Sequence, residues 1–341
     1  MKAPFPWFGG KRKVADMVWQ RFGDVPNYVE PFAGSLAVML KRPIAHKRKI
    51  ETVNDLDGYI ANFWRCLSFG HSSEVAKWAD WPVNENDLHA RHWWLVQRRE
   101  TLRAQLEGDP EWCDPKIAGW WVWGICSWIG GGFCSGNGPW QSVDMDDGTR
   151  QLVSVGSAGR GVKRKLVHLG DAGMGVHRKL VHLGDAGRGV NRQRESIEEY
   201  MKELADRLKD VRVASGDWRR VCGPSPTTKL GVTGVFLDPP YADTADRQSD
   251  LYIEDSETVA HDVREWAIEN GDNPLMRIAL CGYEQEHGPH MPDTWQCVTW
   301  NAGKGFGGQK LNGTNENGKL ERVWFSPACA KPQRSLFAQD S

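Results

Sequence analysis

The sequence lacks long hydrophobic segments and paired metal-ligating cysteines. None of its apolar runs approaches the roughly 20 residues that cross a bilayer, and its N-terminal residues 1–6 contain no signal-peptide segment. The eight cysteines are scattered without a C-x-x-C pair, which indicates neither a zinc site nor a disulfide scaffold. We therefore expect a protein with reduced thiols in a cytoplasm, with no membrane association and no metal.

Charge is nearly balanced over the 341 residues, at −1, but it is unevenly distributed. Residues 151–194 carry nine Lys or Arg and two acids, a local charge of +7 that leaves −8 for the rest of the chain. The same segment contains an internal repeat, because residues 161–173 return almost unchanged as residues 175–187. A basic block on a mildly acidic body predicts contact with a polyanion. A merely solvated charged loop is the alternative.

Apolar runs that stop at polar or proline-containing turns predict an α/β fold. Predicted strands at residues 28–30, 50–53, 211–213, 235–237 and 277–280 alternate with predicted helices at residues 14–22, 36–40, 58–67, 197–208 and 256–270. Residues 295–300 and 321–325 are predicted to close the sheet as an antiparallel pair. Several of these strands end in polar turns, where open α/β sheets bind their ligands.

The most informative of these turns is Asp238-Pro239-Pro240-Tyr241, which follows a buried apolar run. Two prolines end the strand and present an acid, carbonyl groups and an aromatic ring at the sheet edge. Such a set suits a flat heterocycle that carries an amino group, because the amine donates hydrogen bonds while the ring stacks. A strand ended by a diproline turn with no chemical role is the structural alternative.

Together with three other motifs, this tetrad resembles a Dam-like DNA N6-adenine methyltransferase in which the cofactor motifs come first and the tetrad last. The other motifs are Trp7-Phe8-Gly9-Gly10-Lys11, residues 29–35 and Leu280-Cys281-Gly282-Tyr283. The resemblance covers about residues 4–67 and 196–326. It implies a Rossmann-like methyltransferase sheet, formed by residues 1–68 and 195–341, with a mainly helical target-recognition region inserted at residues 69–194.

The resemblance implies S-adenosylmethionine as the cofactor. A loop that opens a helix offers backbone N–H groups and a positive dipole to the methionine carboxylate, and the single glycine of this loop argues against NAD. Asp55 would accept hydrogen bonds from the ribose, although an Asp at a strand end is also a common turn residue or helix cap. The loop residues implied are Glu30, Pro31, Phe32, Ala33, Gly34 and Ser35.

Five further residues are implied to complete the cofactor pocket. Asp217 would accept from the adenine amine and Trp218 would flank its ring. Trp7 would close the pocket by packing, with Lys11 as a nearby cation, although an exposed charge or a phosphate contact is the alternative for Lys11. Asp238 would adjoin both the cofactor and the target base.

The resemblance also implies the reaction. The Asp238 carboxylate and the Pro239 carbonyl would accept the N6 hydrogen bonds of adenine, so that its lone pair localises and attacks the sulfonium methyl in line. Pro240 holds the turn rigid, and Tyr241 would stack on the base. Because a base inside a duplex cannot reach such a site, the target adenine must flip out, at a cost of a few kcal/mol.

Double-stranded DNA is the implied partner, and residues Arg164, Lys165, Arg178 and Lys179 of the basic repeat are expected to contact its phosphates. The eight tryptophans between residues 93 and 140 are interpreted as core rather than as a base-stacking platform.

Other functions remain open. They are a catalytically silent DNA-binding protein of the same fold, and a methyltransferase for RNA, protein or cytosine N4, which Asp at the first tetrad position disfavours. The sequence leaves open the recognition site, a partner restriction endonuclease or none, and a bacterial or phage-infected host cell.

Overall fold

The computed structural model describes residues 1–7, 11–43, 49–128, 133–134, 140–144, 150–154, 197–240, 258–300 and 321–331. For residues 140–144 and 150–154 it describes the backbone. No helix within these ranges combines the length and the apolar character needed to cross a membrane.

A seven-stranded mixed sheet organises the described residues. Its strands are β1 (Asn27–Glu30), β2 (Ile50–Asp55), β5 (Val211–Ser215), β6 (Thr233–Leu237), β7 (Met276–Tyr283), β8 (Gln296–Thr299) and β9 (Glu321–Phe325), and their spatial order is β5-β2-β1-β6-β7-β9-β8. The first five in this order are parallel, whereas β9 is antiparallel to both β7 and β8. The predicted strands and the predicted antiparallel closing pair are confirmed. Two further strands, β3 (Trp140–Asp144) and β4 (Arg150–Ser154), form a separate antiparallel pair.

The central strand β1 is the point at which the direction of winding reverses. Val29 pairs with Thr52 of β2 on one side and with Val235 of β6 on the other. The chain thus builds β2 on one side of β1 and adds β6 and β7 later on the opposite side. At such a reversal, the connections leaving the carboxyl ends of adjacent strands diverge and leave a crevice.

Helices cover the sheet and extend beyond it. In chain order they are α1 (Ala15–Phe22), α2 (Gly58–Ser68), α3 (Ser72–Ala79), α4 (Glu85–Val96), α5 (Arg99–Gly108), α6 (Pro115–Ser127), α7 (Ile197–Leu208), α8 (Arg219–Cys222), α9 (Val259–Gly271) and α10 (Glu284–His287). Three of them begin at a side-chain cap typical of helix N-termini. Asp57, Asn84 and Asp114 accept hydrogen bonds from backbone N–H groups in the first turns of α2, α4 and α6.

The predicted helix at residues 36–40 is wrong. The structure forms only a short 3-10 turn at Met39–Lys41, and both Gly34 and Leu36 adopt positive φ angles, of 44° and 54°. Tertiary packing explains the difference. The Leu36 side chain is fully buried, and the indole N–H of Trp64 donates to the Gly34 carbonyl over 2.9 Å. These contacts hold the loop in a left-handed conformation that local helix propensity disfavours.

One apolar core joins the sheet to the helices on both sides of residue 69. Phe5 packs edge-on against Phe63 and Trp121, which lie on α2 and α6. Helix α3 packs on both α6 and α7, and α2 packs on α6. The helices at residues 72–127 are therefore continuous with the core of the sheet, and the division of the chain at residues 69 and 194 stays a prediction.

Candidate active site

A cavity of about 210 Å³ lies at the carboxyl edge of the parallel strands, at the reversal beside β1. It brings together all of the predicted cofactor residues, from five separate parts of the chain. Those residues are Trp7, Lys11, Glu30, Pro31, Phe32, Ala33, Gly34, Ser35, Asp55, Asp217, Trp218 and Asp238. Pro240 of the tetrad lines the cavity as well, whereas Pro239 is not among its lining residues.

The loop that follows β1 is held in place by the Asp55 carboxylate. One oxygen, Oδ2, accepts a hydrogen bond from the Gly34 N–H over 2.8 Å, and the other, Oδ1, accepts from the Asp57 N–H over 3.0 Å. Asp55 therefore joins this loop to the start of α2. Each carboxylate oxygen can accept more than one hydrogen bond, so the predicted ribose contact of Asp55 stays a prediction beside this structural role.

Asn54 makes a second connection that sequence reasoning missed. Its buried side-chain amide donates to the Pro31 carbonyl over 3.0 Å and to the Gly216 carbonyl over 2.9 Å. The turn after β1 is thereby tied to the turn after β5. The signal in the sequence was only an Asn at a strand end, which is common in turns and does not reveal two distant acceptors.

Trp7 lies directly against the same loop. A Cβ atom added at Gly34 would lie 2.5 Å from the Trp7 Nε1 atom, which is closer than atoms can approach. Glycine is required here for two reasons, because the positive φ of Gly34 also disfavours any other residue. This contact agrees with the predicted packing of Trp7, and its role toward a cofactor stays a prediction.

Aromatic side chains line the part of the cavity near Trp218, which follows β5. Trp218 is buried, and its ring lies 6.2 Å from Phe32 and 6.1 Å from Trp266, measured between centroids. The Arg219 guanidinium lies 4.9 Å from the Trp218 ring centre. A flat heterocycle is a suitable guest for such a surface.

Asp217 already accepts hydrogen bonds within the protein, and its predicted contact with the adenine amine stays a prediction. It is exposed, and its two carboxylate oxygens accept from the Arg219 backbone N–H over 2.7 Å and from the Arg219 guanidinium over 3.2 Å. Arg219 in turn reaches the Asp262 carboxylate over 2.7 Å. An ion-pair chain thus connects α8 and α9 at the cavity rim, and the sequence carried no signal for it.

The opposite end of the cavity holds the tetrad acid. The Lys11 ammonium lies 2.9 Å from the Asp238 carboxylate and 4.0 Å from that of Glu321. Lys11 is 4% exposed, so the alternative of an exposed surface charge is wrong. Burial raises the pKa of Asp238 above its ordinary value, and the neighbouring Lys11 charge opposes that rise.

Two more carboxyl groups in the cavity have raised pKa values. Burial raises the pKa of Glu30 to about 8, and the Asp238 charge makes a smaller contribution in the same direction. The Tyr28 hydroxyl donates a hydrogen bond to Glu30 over 2.8 Å, which lowers the Glu30 pKa and partly opposes the effect of burial. Burial also raises the pKa of Asp57 to about 7, and the nearby Asp55 adds to the effect. These carboxyl groups are therefore largely or partly protonated at neutral pH.

Several predicted residues lie outside the described residues. They are Phe8, Gly9 and Gly10 of the first motif, Tyr241 of the tetrad, and Arg164, Lys165, Arg178 and Lys179 of the basic repeat. In the ranges that are described, no three His, Cys, Asp or Glu side chains are grouped so as to hold a metal ion.

Comparison with known proteins is consistent with this geometry. Residues 7–75 match the family described as D12 class N6 adenine-specific DNA methyltransferase. The matched segment includes Trp7, Lys11, the loop after β1 and Asp55, and it ends far before the tetrad at residues 238–241. A search of curated proteins found no match. Over residues 7–75 the chain is similar to the D12 class N6 adenine-specific DNA methyltransferases, and the predicted resemblance to a Dam-like adenine methyltransferase is confirmed.

Proposed function

We propose that this protein transfers a methyl group from S-adenosylmethionine to N6 of a flipped adenine in double-stranded DNA. One observation carries the proposal. The cavity joins the loop after β1, which lies within the segment similar to adenine methyltransferases, to Asp238 of the tetrad, which lies more than 150 residues beyond that segment. Because β6 pairs directly with β1, its carboxyl end adjoins that loop, and the acid–diproline sequence at this end is what supports the proposal.

The chemistry of the cavity fits S-adenosylmethionine. Its aromatic end, formed by Phe32 and Trp218, suits the adenine ring of the cofactor. The Lys11–Asp238 ion pair and the polar, largely protonated Glu30 in the same cavity suit the methionine part. Because no helix begins at Leu36, a helix dipole does not contribute here, and the binding of the methionine part rests on the loop backbone and these side chains.

Asp238 must be ionised to accept hydrogen bonds from the target amine. The cofactor, when bound, supplies an electrophilic methyl group on a sulfonium. Lys11 favours the ionised carboxylate against the effect of burial, so that Asp238 and the Pro239 carbonyl act as acceptors. Two acceptors at N6 localise its lone pair, and correct placement of the amine supplies much of the rate enhancement. Tyr241 is proposed to stack on the flipped base.

Recognition of DNA is assigned to the rest of the chain. In this proposal the sheet is a Rossmann-like methyltransferase sheet, and residues 69–194 form the inserted target-recognition region. Arg164, Lys165, Arg178 and Lys179 contact phosphates, which supplies affinity that depends on salt and not on sequence. The protein then acts in the cytoplasm of a bacterial or phage-infected cell, as part of a restriction–modification pair or as an orphan enzyme, and with strict or relaxed site specificity.

Incubation with methyl-labelled S-adenosylmethionine and duplex DNA, followed by digestion to nucleosides, tests the proposal. We expect the label in N6-methyl-2′-deoxyadenosine. Label on cytosine alone, or no label in the nucleosides, would contradict the proposed function. Asp238→Asn removes the charge with little change of shape and should abolish transfer while DNA binding persists. Asp272→Asn, at an exposed position after α9 and not among the residues that line the cavity, is the matched control and should retain most activity.

Calorimetric titration with S-adenosylmethionine separates the main alternative from this proposal. A catalytically silent DNA-binding protein would bind duplex DNA and give no heat with the cofactor. An active enzyme that labels RNA in preference to DNA would instead favour an RNA substrate.

A further inference from the structure

Helices α3, α4 and α6 present a set of half-buried tryptophans covered by cations. We call it the cation–indole face and define it as Lys77, Trp78, Trp94, Arg98, Lys116 and Trp120. The Lys116 ammonium lies 4.4, 4.9 and 5.3 Å from the ring centres of Trp120, Trp94 and Trp78. The Arg98 guanidinium lies 3.6 Å from the Trp94 ring centre, and Lys77 lies 5.7 Å from that of Trp78.

The positive charges of this face lack carboxylate partners within the described residues. Lys77, Arg98 and Lys116 form no ion pair there. Three acidic residues of α3, α4 and α5 face other side chains, since Glu74 faces His71, Glu85 faces His89 and Glu107 faces Arg103. The cation–indole face therefore carries three positive charges that have no carboxylate within ion-pair distance among the described residues.

Arg91 adds a buried charge beneath the face. Its guanidinium lies 4.3 Å from the Trp123 ring centre, 5.1 Å from that of Trp120 and 4.9 Å from that of Trp81. Arg91 is 7% exposed, and its Nη1 atom has no hydrogen-bond acceptor among the described residues. Asp87 is the one acid that opposes the lowering of the Arg91 pKa by burial. An incompletely compensated buried charge is costly, and an anion brought against the face would reduce that cost.

We propose that the cation–indole face contacts the phosphodiester backbone of double-stranded DNA. This inference rests on the proposed function, because it assumes that the protein acts on DNA. The cations lie over the indole rings, so the face offers ammonium and guanidinium groups rather than open rings for base stacking. Such groups bind phosphate oxygens and do not read sequence. The contact is a second, separate one from that assigned to the basic repeat.

Acylation of lysines tests the proposal on the unmodified full-length protein. The protein is treated with an N-hydroxysuccinimide acetate, with and without a duplex of about two helical turns and without cofactor, and modified lysines are measured by mass spectrometry. Lys77 and Lys116 should react several-fold more slowly with DNA present, while exposed Lys202 and Lys229 on other helical segments keep their rates. Equal rates at Lys77 and Lys116 in the DNA-bound protein would overturn the proposal.

Salt dependence of DNA binding gives a second, independent measurement. The triple variant Lys77→Gln, Arg98→Gln, Lys116→Gln should lower the slope of log K against log salt by up to about 2.7, at roughly 0.9 for each phosphate contact. The matched triple Lys202→Gln, Lys209→Gln, Lys229→Gln loses the same charge elsewhere and should leave the slope unchanged. Equal slopes for the two variants contradict the proposal, and thermal unfolding identifies a variant that has not folded.

The outcomes distinguish this proposal from the proposed function. Protection and a reduced slope without any methyl transfer would leave the DNA contact standing and refute the enzyme. Methyl transfer with neither lysine protection nor a changed slope would leave the proposed enzyme standing and refute the DNA contact of the cation–indole face. Displacement of DNA by poly-glutamate at equal charge concentration would show that any polyanion suffices and would overturn the assignment to a phosphodiester backbone.

Discussion

The Lys11 ammonium and the Asp238 carboxylate form an ion pair of 2.9 Å, in which Lys11 is buried and Asp238 half-buried, between residues 227 positions apart in the sequence. Lys11 belongs to the segment that is similar to adenine methyltransferases, and Asp238 belongs to the predicted catalytic tetrad. The pair therefore links the two halves of the candidate site directly. It also gives Lys11 a second task beside the predicted closure of the cofactor pocket, namely control of the charge on the tetrad acid.

Removal of the Lys11 charge should shift the pH dependence of methyl transfer. Burial raises the pKa of Asp238 and Lys11 lowers it, so Lys11→Met should raise that pKa further. Activity requires the ionised form and is lost as pH falls, hence the acidic limb of the kcat profile should move to higher pH, by about 1 to 3 units. Lys11→Arg should restore part of the profile, and Arg12→Met, at an exposed neighbour, should not change it. A uniform loss of rate at every pH would contradict the prediction.

Glu30 should make the free energy of unfolding depend on pH. Its pKa is about 8 in the folded protein, against an ordinary value of 4.5. The folded state therefore holds a proton that the unfolded state has released between these values, so stability is highest below pH 4.5 and falls as pH rises toward 8. The loss is on the order of 5 kcal/mol, from about 1.4 kcal/mol for each of about 3.5 pKa units.

Glu30→Gln should remove most of that loss. The amide oxygen can still accept from the Tyr28 hydroxyl, while the buried charge is eliminated. Urea unfolding at pH 5 and at pH 8.5 measures the effect, and the variant should be more stable than the original protein only at the higher pH. Glu265→Gln on the exposed side of α9 is the control. An unchanged difference between the two pH values in Glu30→Gln would sink the prediction.

Gly34→Ala should lower the free energy of unfolding by more than the cost of placing alanine at a positive φ angle. Both Gly34 and Gly70 have positive φ, but a Cβ at Gly34 meets the Trp7 indole whereas one at Gly70 meets nothing within 4 Å. Gly70→Ala should cost about 1 to 2 kcal/mol, and Gly34→Ala about 1 to 3 kcal/mol more because of overpacking. Urea unfolding measures both. If the two variants were equally stable, the predicted clash with Trp7 would be wrong, and Trp7→Leu in the Gly34→Ala background should recover part of the loss.

Asn54→Ala should loosen the two turns that its side chain connects. The Pro31 and Gly216 carbonyls would each lose a buried donor, at a total cost of about 1 to 3 kcal/mol. Affinity for S-adenosylmethionine should fall as well, because both turns line the cavity. Asn270→Ala, which removes a hydrogen bond within α9, is the control and should leave the cofactor affinity unchanged. Normal cofactor binding by Asn54→Ala would contradict the idea that the connection shapes the cavity.

The tryptophan-rich segment shows where sequence reasoning reaches its limit. Helical spacing predicts core residues, and this is confirmed for Trp121 and Trp123, which are buried. Trp94 of α4 and Trp120 of α6 are only half-buried, and each packs against the core while a cation lies over its ring. Helical spacing alone indicates that a helix has an apolar side, but it cannot tell which indoles are fully enclosed and which stay half-buried beside a cation.

Local patterns by themselves determined most of the strands, the turns at their carboxyl ends and the residue types that those turns present. These features depend on apolar runs and on proline and glycine, whose effects act within a few residues. Only tertiary structure decided that Leu36 does not start a helix, that Asn54 bridges two turns and that Lys11 pairs with Asp238. Each of these depends on side chains that are distant in the sequence and become neighbours only when the sheet brings its strand ends to one edge, which no local propensity encodes.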